Sequence, residues 1–403
     1  MSFLSVTLPL GMVNLINQAS RAVMAVIGPA LAVEFGLSAA DLGMLAAVLF
    51  VAYALVQLPI GVALDRYGPR LVQAASAAVA GLGFAVSALA EGAGMLAVGR
   101  FLTGLGVGSA LIGLIKAHSA WYPKERVAAL TGAGIFIGGL GGLLATWPVQ
   151  AALPVLGWRG AFWLLALLSF VIALWILRSV PPSPRREAAT PLLQDIAAFA
   201  AILRDARFRA LVPAIMVLNA LHFTYQGLWI GPWLRDVAGL AAEERAVVLL
   251  AYALAVMFGN LGAGVAASRL QASGVSPLAV PLAAMALMLG LQALLIAAPP
   301  QGLGPALLLW SCFALCGATS AAAYAAVAQG FPPALAGRVS TAVNAGMLCL
   351  TFLLQTAIGL VLDLWPRRAD GGWQAAGYGW AMGGTLLLQI LAMLWMALRL
   401  PRR

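Results

Sequence analysis

Hydrophobic and polar residues do not alternate finely along this chain; they come in blocks. Twelve apolar runs follow one another, near 6–33, 42–62, 71–90, 95–118, 127–151, 160–179, 208–234, 246–266, 277–298, 303–329, 338–362 and 376–399. An α-helix rises about 1.5 Å per residue, so roughly twenty apolar residues cross a hydrocarbon core of about 30 Å. The pattern predicts an all-α membrane protein with twelve transmembrane helices. One connection is long and polar: VPPSPRREAATPLLQDIAAFAAILRDAR, residues 180–207. Its prolines and charges read as a linker between a first half, residues 1–179, and a second, residues 208–403. Residues 192–203 inside it are expected to form a surface helix. The opening MSFLSV has no positive segment and no small-residue cleavage site, so the first run is expected to be a span and not a removed signal.

That first run, Val6 to Val33, breaks its own pattern in the middle. Arg21 sits near its centre, where an arginine costs about 2.5–3.5 kcal/mol even on a lenient insertion scale. The run contains no Asp or Glu. Asn14, Asn17 and Arg21 stand at i, i+3 and i+7 and so form one polar stripe. Such a stripe is expected to face other helices or a wet cavity, with Arg21 as an anion-binding group. A guanidinium suits carboxylate, phosphate or other oxyanions because its planar fork meets two oxygens at once.

Composition narrows the class. The chain is 63% hydrophobic and 9% charged, against about 25% charged in soluble domains, which excludes a water-soluble protein. A net charge of +10 raises the question of nucleic acid, but its distribution answers as membrane topology. With the N-terminus inside, fifteen of the 23 basic residues fall on the cytoplasmic side and five (Arg159, Arg235, Arg245, Arg367 and Arg368) on the other. That bias predicts cytoplasmic termini, with the lipid bilayer and no nucleic acid as partner. All thirteen carboxylates lie at run ends, in loops or in the linker. A carrier of cations would be expected to bury an acid; this chain buries an arginine, which favours an anionic solute. Cys312, Cys316 and Cys349 lie in apolar runs and predict neither disulfide nor metal site. No nucleotide-binding string is present, and no enzyme activity, catalytic residue or cofactor is expected.

Short strings add a resemblance. Between runs 2 and 3 stands Gly61-Val-Ala-Leu-Asp65-Arg66-Tyr-Gly68-Pro69-Arg70. There Gly61 is expected to permit close helix approach, Gly68 and Pro69 to make a turn, and Asp65 to accept from the free amides of a helix N-terminus. Run 4 holds Arg100-Phe-Leu-Thr103-Gly104-Leu-Gly106-Val-Gly108, run 5 is dense in glycine from Gly132 to Gly142, and run 6 opens Gly157-Trp158-Arg159-Gly160. Lys116 and His118 close run 4 and are expected to be solvated or lipid-facing, with Trp158 and Arg159 as interfacial anchors. Internal duplication shows as well. Gly231-Pro232 repeats Gly28-Pro29, and at the same offset Gly264 and Arg269 meet Gly61 and Arg66, with Thr224 opposite Arg21. Further on, Phe331-Pro332 repeats Tyr122-Pro123.

Together these strings resemble the bacterial major facilitator superfamily of secondary transporters; Pro69 stands where that family usually has an arginine, and run 5 lacks the proline of its antiporters. The resemblance implies two pseudo-symmetric six-helix bundles, alternating access, and a central path lined by helices 1, 4, 7 and 10. It implies conformational gating by Gly61, Asp65, Arg66, Gly68, Arg70 and Arg100, with Asp65 bracing the start of run 11 near Gly337 and Arg338. Arg100 and His222 keep structural roles as open alternatives. The substrate-binding set expected in that path is Arg21, Asn14 and Asn17 with His222, Tyr225 and Gln226 of run 7, Tyr324 of run 10 and Asn344 of run 11. The expected function is secondary transport of a small organic or inorganic anion by a monomer coupled to a proton or sodium ion. The alternative is proton-coupled efflux of drugs or metabolites.

Overall fold

A computed structural model describes residues 2–182, 200–332 and 335–399. Among these residues there is no strand, and helices account for nearly all of the chain. They are α1 (Thr7–Glu34), α2 (39–67), α3 (69–88), α4 (Ala93–Trp121), α5 (Lys124–Leu144), α6 (Trp147–Ser179), α7 (Ala206–Asp236), α8 (Ala242–Ala272), α9 (Ala279–Ala297), α10 (Leu303–Ala328), α11 (Ala336–Leu362) and α12 (Ala375–Arg399). All but α5 are long and apolar enough to cross a membrane, and α5 offers a shorter apolar stretch, Ala129–Leu144.

Glycine sets the sharp turns. Helices α2 and α3 form one continuous run interrupted only at Gly68, whose φ of 78° suits a residue without a Cβ. The expected turn at Gly68 and Pro69 is therefore where the sequence puts it. The expected fifth span, 127–151, is shortened. Helix α5 stops at Leu144, and Trp147 begins a helical segment that turns at Gly157 (φ 63°) into the body of α6. Hydrophobicity continues across both breaks, which hides them from an apolar count.

The chain divides into two compact units: Met1–Leu37 with Met44–Leu192, and Ser38–Gly43 with Leu193–Arg403. Most of the 180–207 linker, including 192–199 of the expected surface helix, lies outside the described residues. Residues 200–204 are helical, and Ile202 is buried against Phe208, Val212 and Ile215 of α7. Asp205 caps α7 by accepting from the amides of Arg207 and Phe208 at 2.8 and 3.0 Å.

Burial and polarity run together in each unit. In α1, 89% of the most apolar stretch is buried, although this helix is among the least apolar of the set; α7, equally polar, reaches 72%. The strongly apolar α9 and α12 are only 33% buried. A helix that carries polar groups through a membrane must bury them in protein, while a helix uniform in apolar character can face lipid.

Candidate functional site

The first unit is organised around α1. Arg21 is buried, and its Nε donates to Asn17 Oδ1 at 3.1 Å. Asn17 Nδ2 donates to Asn14 Oδ1 at 3.3 Å, and Asn14 Nδ2 to the carbonyl of Gly134 on α5 at 3.4 Å. The stripe read from the sequence is thus a chain of amides ending on a neighbouring backbone. Its guanidinium lies 4.9 Å from the Tyr53 ring centre and 5.6 Å from that of Phe50, both on α2. Aromatic faces stabilise a desolvated cation by about 2 kcal/mol or more. The glycines of α5 make the approach possible: a Cβ at Gly138 would meet the Asn14 amide, and one at Gly141 the carbonyl of Leu15. In this arrangement Asn17 orients Arg21, and Asn14 anchors Asn17.

Arg100 on α4 is 1% exposed and donates through Nη1 to the carbonyl of Ser20 at 2.7 Å and through Nε to that of Leu45 at 3.4 Å. It therefore ties α4 to α1 and α2 one residue from Arg21. The glycines that follow it serve close packing as expected: a Cβ at Gly104 would meet the Leu49 carbonyl, and one at Gly106 the backbone of Ala80.

Two helices break near their middles. In α4 the helix is interrupted at Gly108 and Ser109, and in α10 at Ala318 and Thr319. These are corresponding places in the duplicated halves, as Tyr122-Pro123 and Phe331-Pro332 mark. In α4 the carbonyls at the break also accept from amide side chains. Gln73 of α3 donates to Ser109 and Ala110 at 3.1 and 3.2 Å, and Gln57 of α2 to Gly108 at 3.5 Å. In α10 the break is closed locally, by Thr319 Oγ1 on the Cys316 carbonyl at 2.8 Å and Ser320 Oγ on that of Gly317 at 2.5 Å.

The second unit has a different centre. His222 lies against the α10 break, where a Cβ at Gly317 would meet its ring. Its Nδ1 is 2.8 Å from the Tyr252 hydroxyl of α8, with the two rings stacked at 5.7 Å. Just beyond, residues Tyr225–Trp229 widen into a π-helix, a distortion frequent at functional sites. Tyr225 packs against Trp310 and Phe313, and its hydroxyl meets Thr385 Oγ1 at 3.1 Å. The chain goes on from Thr385 to Gln292 Oε1 (2.9 Å), from Gln292 to Gln389 (2.5 Å), and from Gln389 to the Met285 carbonyl (2.7 Å). Gln226 and Asn344 are half-buried and make no hydrogen bond among the described residues; Tyr324 packs against the apolar cluster of Val212, Val339 and Val343. Opposite Arg21 in the repeat, Thr224 buries a hydroxyl that has no partner among the described residues.

Several expectations change. Asp65 forms an ion pair with Lys116 of α4, so Lys116, though part-exposed, has a charged partner at the end of its run. His118 is fully buried, its ring nitrogens 3.1 Å from Thr7 Oγ1 and 3.0 Å from Thr131 Oγ1, so it joins α1, α4 and α5. A terminal position in an apolar run looks solvated unless its partners are known. Trp158 is buried too: it and Arg159 hold Glu34 at 2.6 and 2.7 Å and so lock the end of α1. Gly61 serves no close contact, since nothing described lies within 4 Å of where its Cβ would be. Arg70 donates to the Leu177 carbonyl of α6, and Arg66 lies 5.4 Å from the centre of the Tyr67 ring.

Sequence reading passed over Gln73, Gln292, Thr385 and Gln389. Each is an amide or hydroxyl inside an apolar run, and that oddity was the available signal. Asp236 was passed over as well. At the end of α7 it is buried and accepts from Arg235 (2.6 Å), the Trp373 amide (3.0 Å) and the Tyr378 hydroxyl (2.8 Å). In the adjoining loop, the Gly372 amide and Arg368 hold the Asp370 carboxyl below its ordinary pKa.

Polar groups on the most buried helices, an internal repeat and helices broken at matching places define a secondary-transporter fold. The chain belongs to the major facilitator superfamily, whose profile matches residues 10–356. Among relatives, the 4-hydroxybenzoate transporter of Pseudomonas aeruginosa is 34% identical over 165 residues, covering 41% of this chain and 37% of that protein. The hexuronate transporter of Bacillus subtilis is 26% identical over 254 residues, 61% of this chain and 60% of that one. A probable sulfoacetate transporter of Cupriavidus necator is 24% identical over 264 residues, 62% and 61%. The chain thus spans between about two fifths and three fifths of the length of these relatives. A bacterial homologue of the human lysosomal transporter Spinster shares the fold with a TM-score of 0.78 at 18% identity, over 98% of this chain and 96% of that one.

Proposed function

We propose that this protein is a secondary active transporter that moves a small organic acid, as its anion, across the membrane by alternating access. The observation that carries the reading is Arg21: a buried cation in the middle of the most buried helix, held by an amide chain and two aromatic faces. The membrane tolerates such a charge where it is used, and arginine is the side chain suited to a carboxylate or sulfonate. The relatives agree in chemistry, since 4-hydroxybenzoate, hexuronate and sulfoacetate are all organic anions.

In this reading two pseudo-symmetric bundles, residues 1–179 and 208–403, joined by a cytoplasmic linker at 180–207, form a monomer in a bacterial inner membrane with both termini in the cytoplasm. A proton or sodium ion drives symport. Arg21 holds the anion, Asn17 and Asn14 hold Arg21, and His222, Tyr225, Gln226, Tyr324 and Asn344 complete the path. Gly61, Asp65, Arg66, Gly68, Arg70 and Arg100 govern the conformational change. No covalent chemistry enters.

A thermal-shift screen of purified protein tests this. It sets aromatic acids, sugar acids and sulfonates beside cationic and neutral drugs, on wild type and on Arg21→Ala. Stabilisation of wild type by one class of acid, absent in a folded Arg21→Ala variant, is the expected result. Stabilisation by cationic or neutral drugs alone, unchanged in Arg21→Ala, would overturn it in favour of efflux.

A further inference from the structure

The first turn of α2 is capped from far away in the chain. An α-helix leaves its first four amides without partners inside the helix. In α2 the outer two of these are settled locally: Ser38 N donates to Asp41 Oδ2 at 3.0 Å and Asp41 N to Ser38 Oγ at 3.1 Å, a reciprocal box of the kind that starts many helices. The two amides between them go elsewhere. Ala39 N donates to Asp363 Oδ1 at 2.9 Å and Ala40 N to Asp363 Oδ2 at 2.8 Å. A carboxylate just past the end of α11 thus uses both oxygens on the positive end of α2.

At two points the backbones of this segment and α11 come close together. A Cβ at Gly359 would meet the Ala39 carbonyl and Ala40 Cα, and one at Gly43 would meet the Gln355 carbonyl. The head of α2 therefore meets α11 backbone to backbone, and its directional bonds there are the two to Asp363. Residues 38–43 count with the second compact unit, while α2 from Met44 onward counts with the first.

The sequence holds a matching trace. Ile358-Gly359-Leu-Val-Leu362-Asp363 repeats Ile60-Gly61-Val-Ala-Leu64-Asp65, the string at the other end of α2. Asp65 pairs with Lys116, while Asp363, at the matching place in this similar string, caps the start of a helix.

We propose that Asp363 is a positioning residue that clasps the head of α2, and that this clasp closes in one state of the transport cycle and opens in another. The inference rests on the transport reading for its cycle, but the clasp itself is tested without a substrate. In a background with Cys312, Cys316 and Cys349 replaced by Ala, Leu42→Cys places a thiol at a fully buried site in the clasped segment. Maleimide labelling of the full chain in lipid vesicles then reports opening, and Ala166→Cys, buried in α6, reports general loosening. Asp363→Asn keeps the shape and removes the charge, and is expected to raise the Leu42→Cys rate about tenfold or more, with Ala166→Cys unchanged. Gly359→Ala, which wedges the same contact without touching charge, moves it in the same direction, and Asp363→Glu restores part of the protection. Unchanged labelling of Leu42→Cys in both Asp363→Asn and Gly359→Ala overturns the clasp, as does an equal rise at Ala166→Cys. The two readings fail separately: an acid that still shifts the melting of Asp363→Asn keeps binding intact whatever happens to the clasp. Absence of any acid shift in wild type overturns the transport substrate while the labelling still decides the clasp.

Discussion

Helices α1 and α7 occupy the same place in the duplicated sequence, and each is the most buried helix of its unit, yet their centres are chemically unlike. In α1 the centre is a cation, Arg21, with amides on one side and aromatic faces on the other. In α7 the equivalent position is Thr224, and the polar groups around it include no arginine: the His222–Tyr252 pair and the relay from Tyr225 through Thr385, Gln292 and Gln389. The broken helices differ in the same sense. The α4 break is closed by Gln57 and Gln73 from two other helices, the α10 break by its own Thr319 and Ser320. Duplication supplied two similar frames. On the transport reading proposed above, recognition of charge falls to the first, and the second supplies shape, aromatic surface and further hydrogen bonds.

The sharpest way to break that comparison is to remove the charge. Arg21→Gln keeps an amide near the Asn17 side chain but no cation. Loss of a buried charge-assisted contact amounts to roughly ten- to a hundredfold in affinity for the acid. Arg21→Lys keeps the charge without the fork and is expected to fall between Arg21→Gln and wild type. Uptake into proteoliposomes as a function of acid concentration measures this, with the melting temperature as a check on folding. A well-folded Arg21→Gln variant with wild-type affinity would show that Arg21 merely ties α1 to its neighbours.

The frame was more legible in the sequence than the centre. Apolar blocks located most of the helices, though not the break between α5 and α6, because the need for about twenty apolar residues per crossing leaves a coarse and durable mark. Arg21 was legible for the same reason: against an apolar background one charge is costly and stands out. The breaks at Ser109 and Thr319 were not, since hydrophobicity runs on through them. Nor were the partners of Gln73, His118 and Asp65, which come from helices distant in sequence. Pattern shows which residues need a partner, and only the fold shows which partner they take.

A smaller effect separates holding from binding within the first unit. Asn17 accepts from Arg21 Nε and donates to Asn14, so it positions the guanidinium. Asn17→Leu removes both bonds and is expected to weaken apparent affinity roughly three- to tenfold, in line with about 0.5–1.5 kcal/mol for a typical hydrogen bond, while the maximal rate changes little. The combined Asn17→Leu, Arg21→Gln variant should then be hardly worse than Arg21→Gln alone, since residues that act through one another are not additive. Losses that add in full would make Asn17 an independent contact to the solute, and the amide chain no longer a support for Arg21.

The smallest effect belongs to the second unit. Tyr225 is buried among Trp310 and Phe313, and its hydroxyl meets Thr385, which also bonds Gln292 and the Met382 carbonyl. Tyr225→Phe keeps the ring in place and removes one neutral hydrogen bond, leaving Thr385 with its other partners. Stability should drop by about 0.5–1.5 kcal/mol, read as a modest fall in melting temperature, and affinity for the acid should stay within about twofold. If affinity instead fell as far as in Asn17→Leu with melting unchanged, the Tyr225 hydroxyl would be touching the solute. The neutral relay of the second unit would then share in recognition, and the division of labour between the two frames would give way to a single site fed by both.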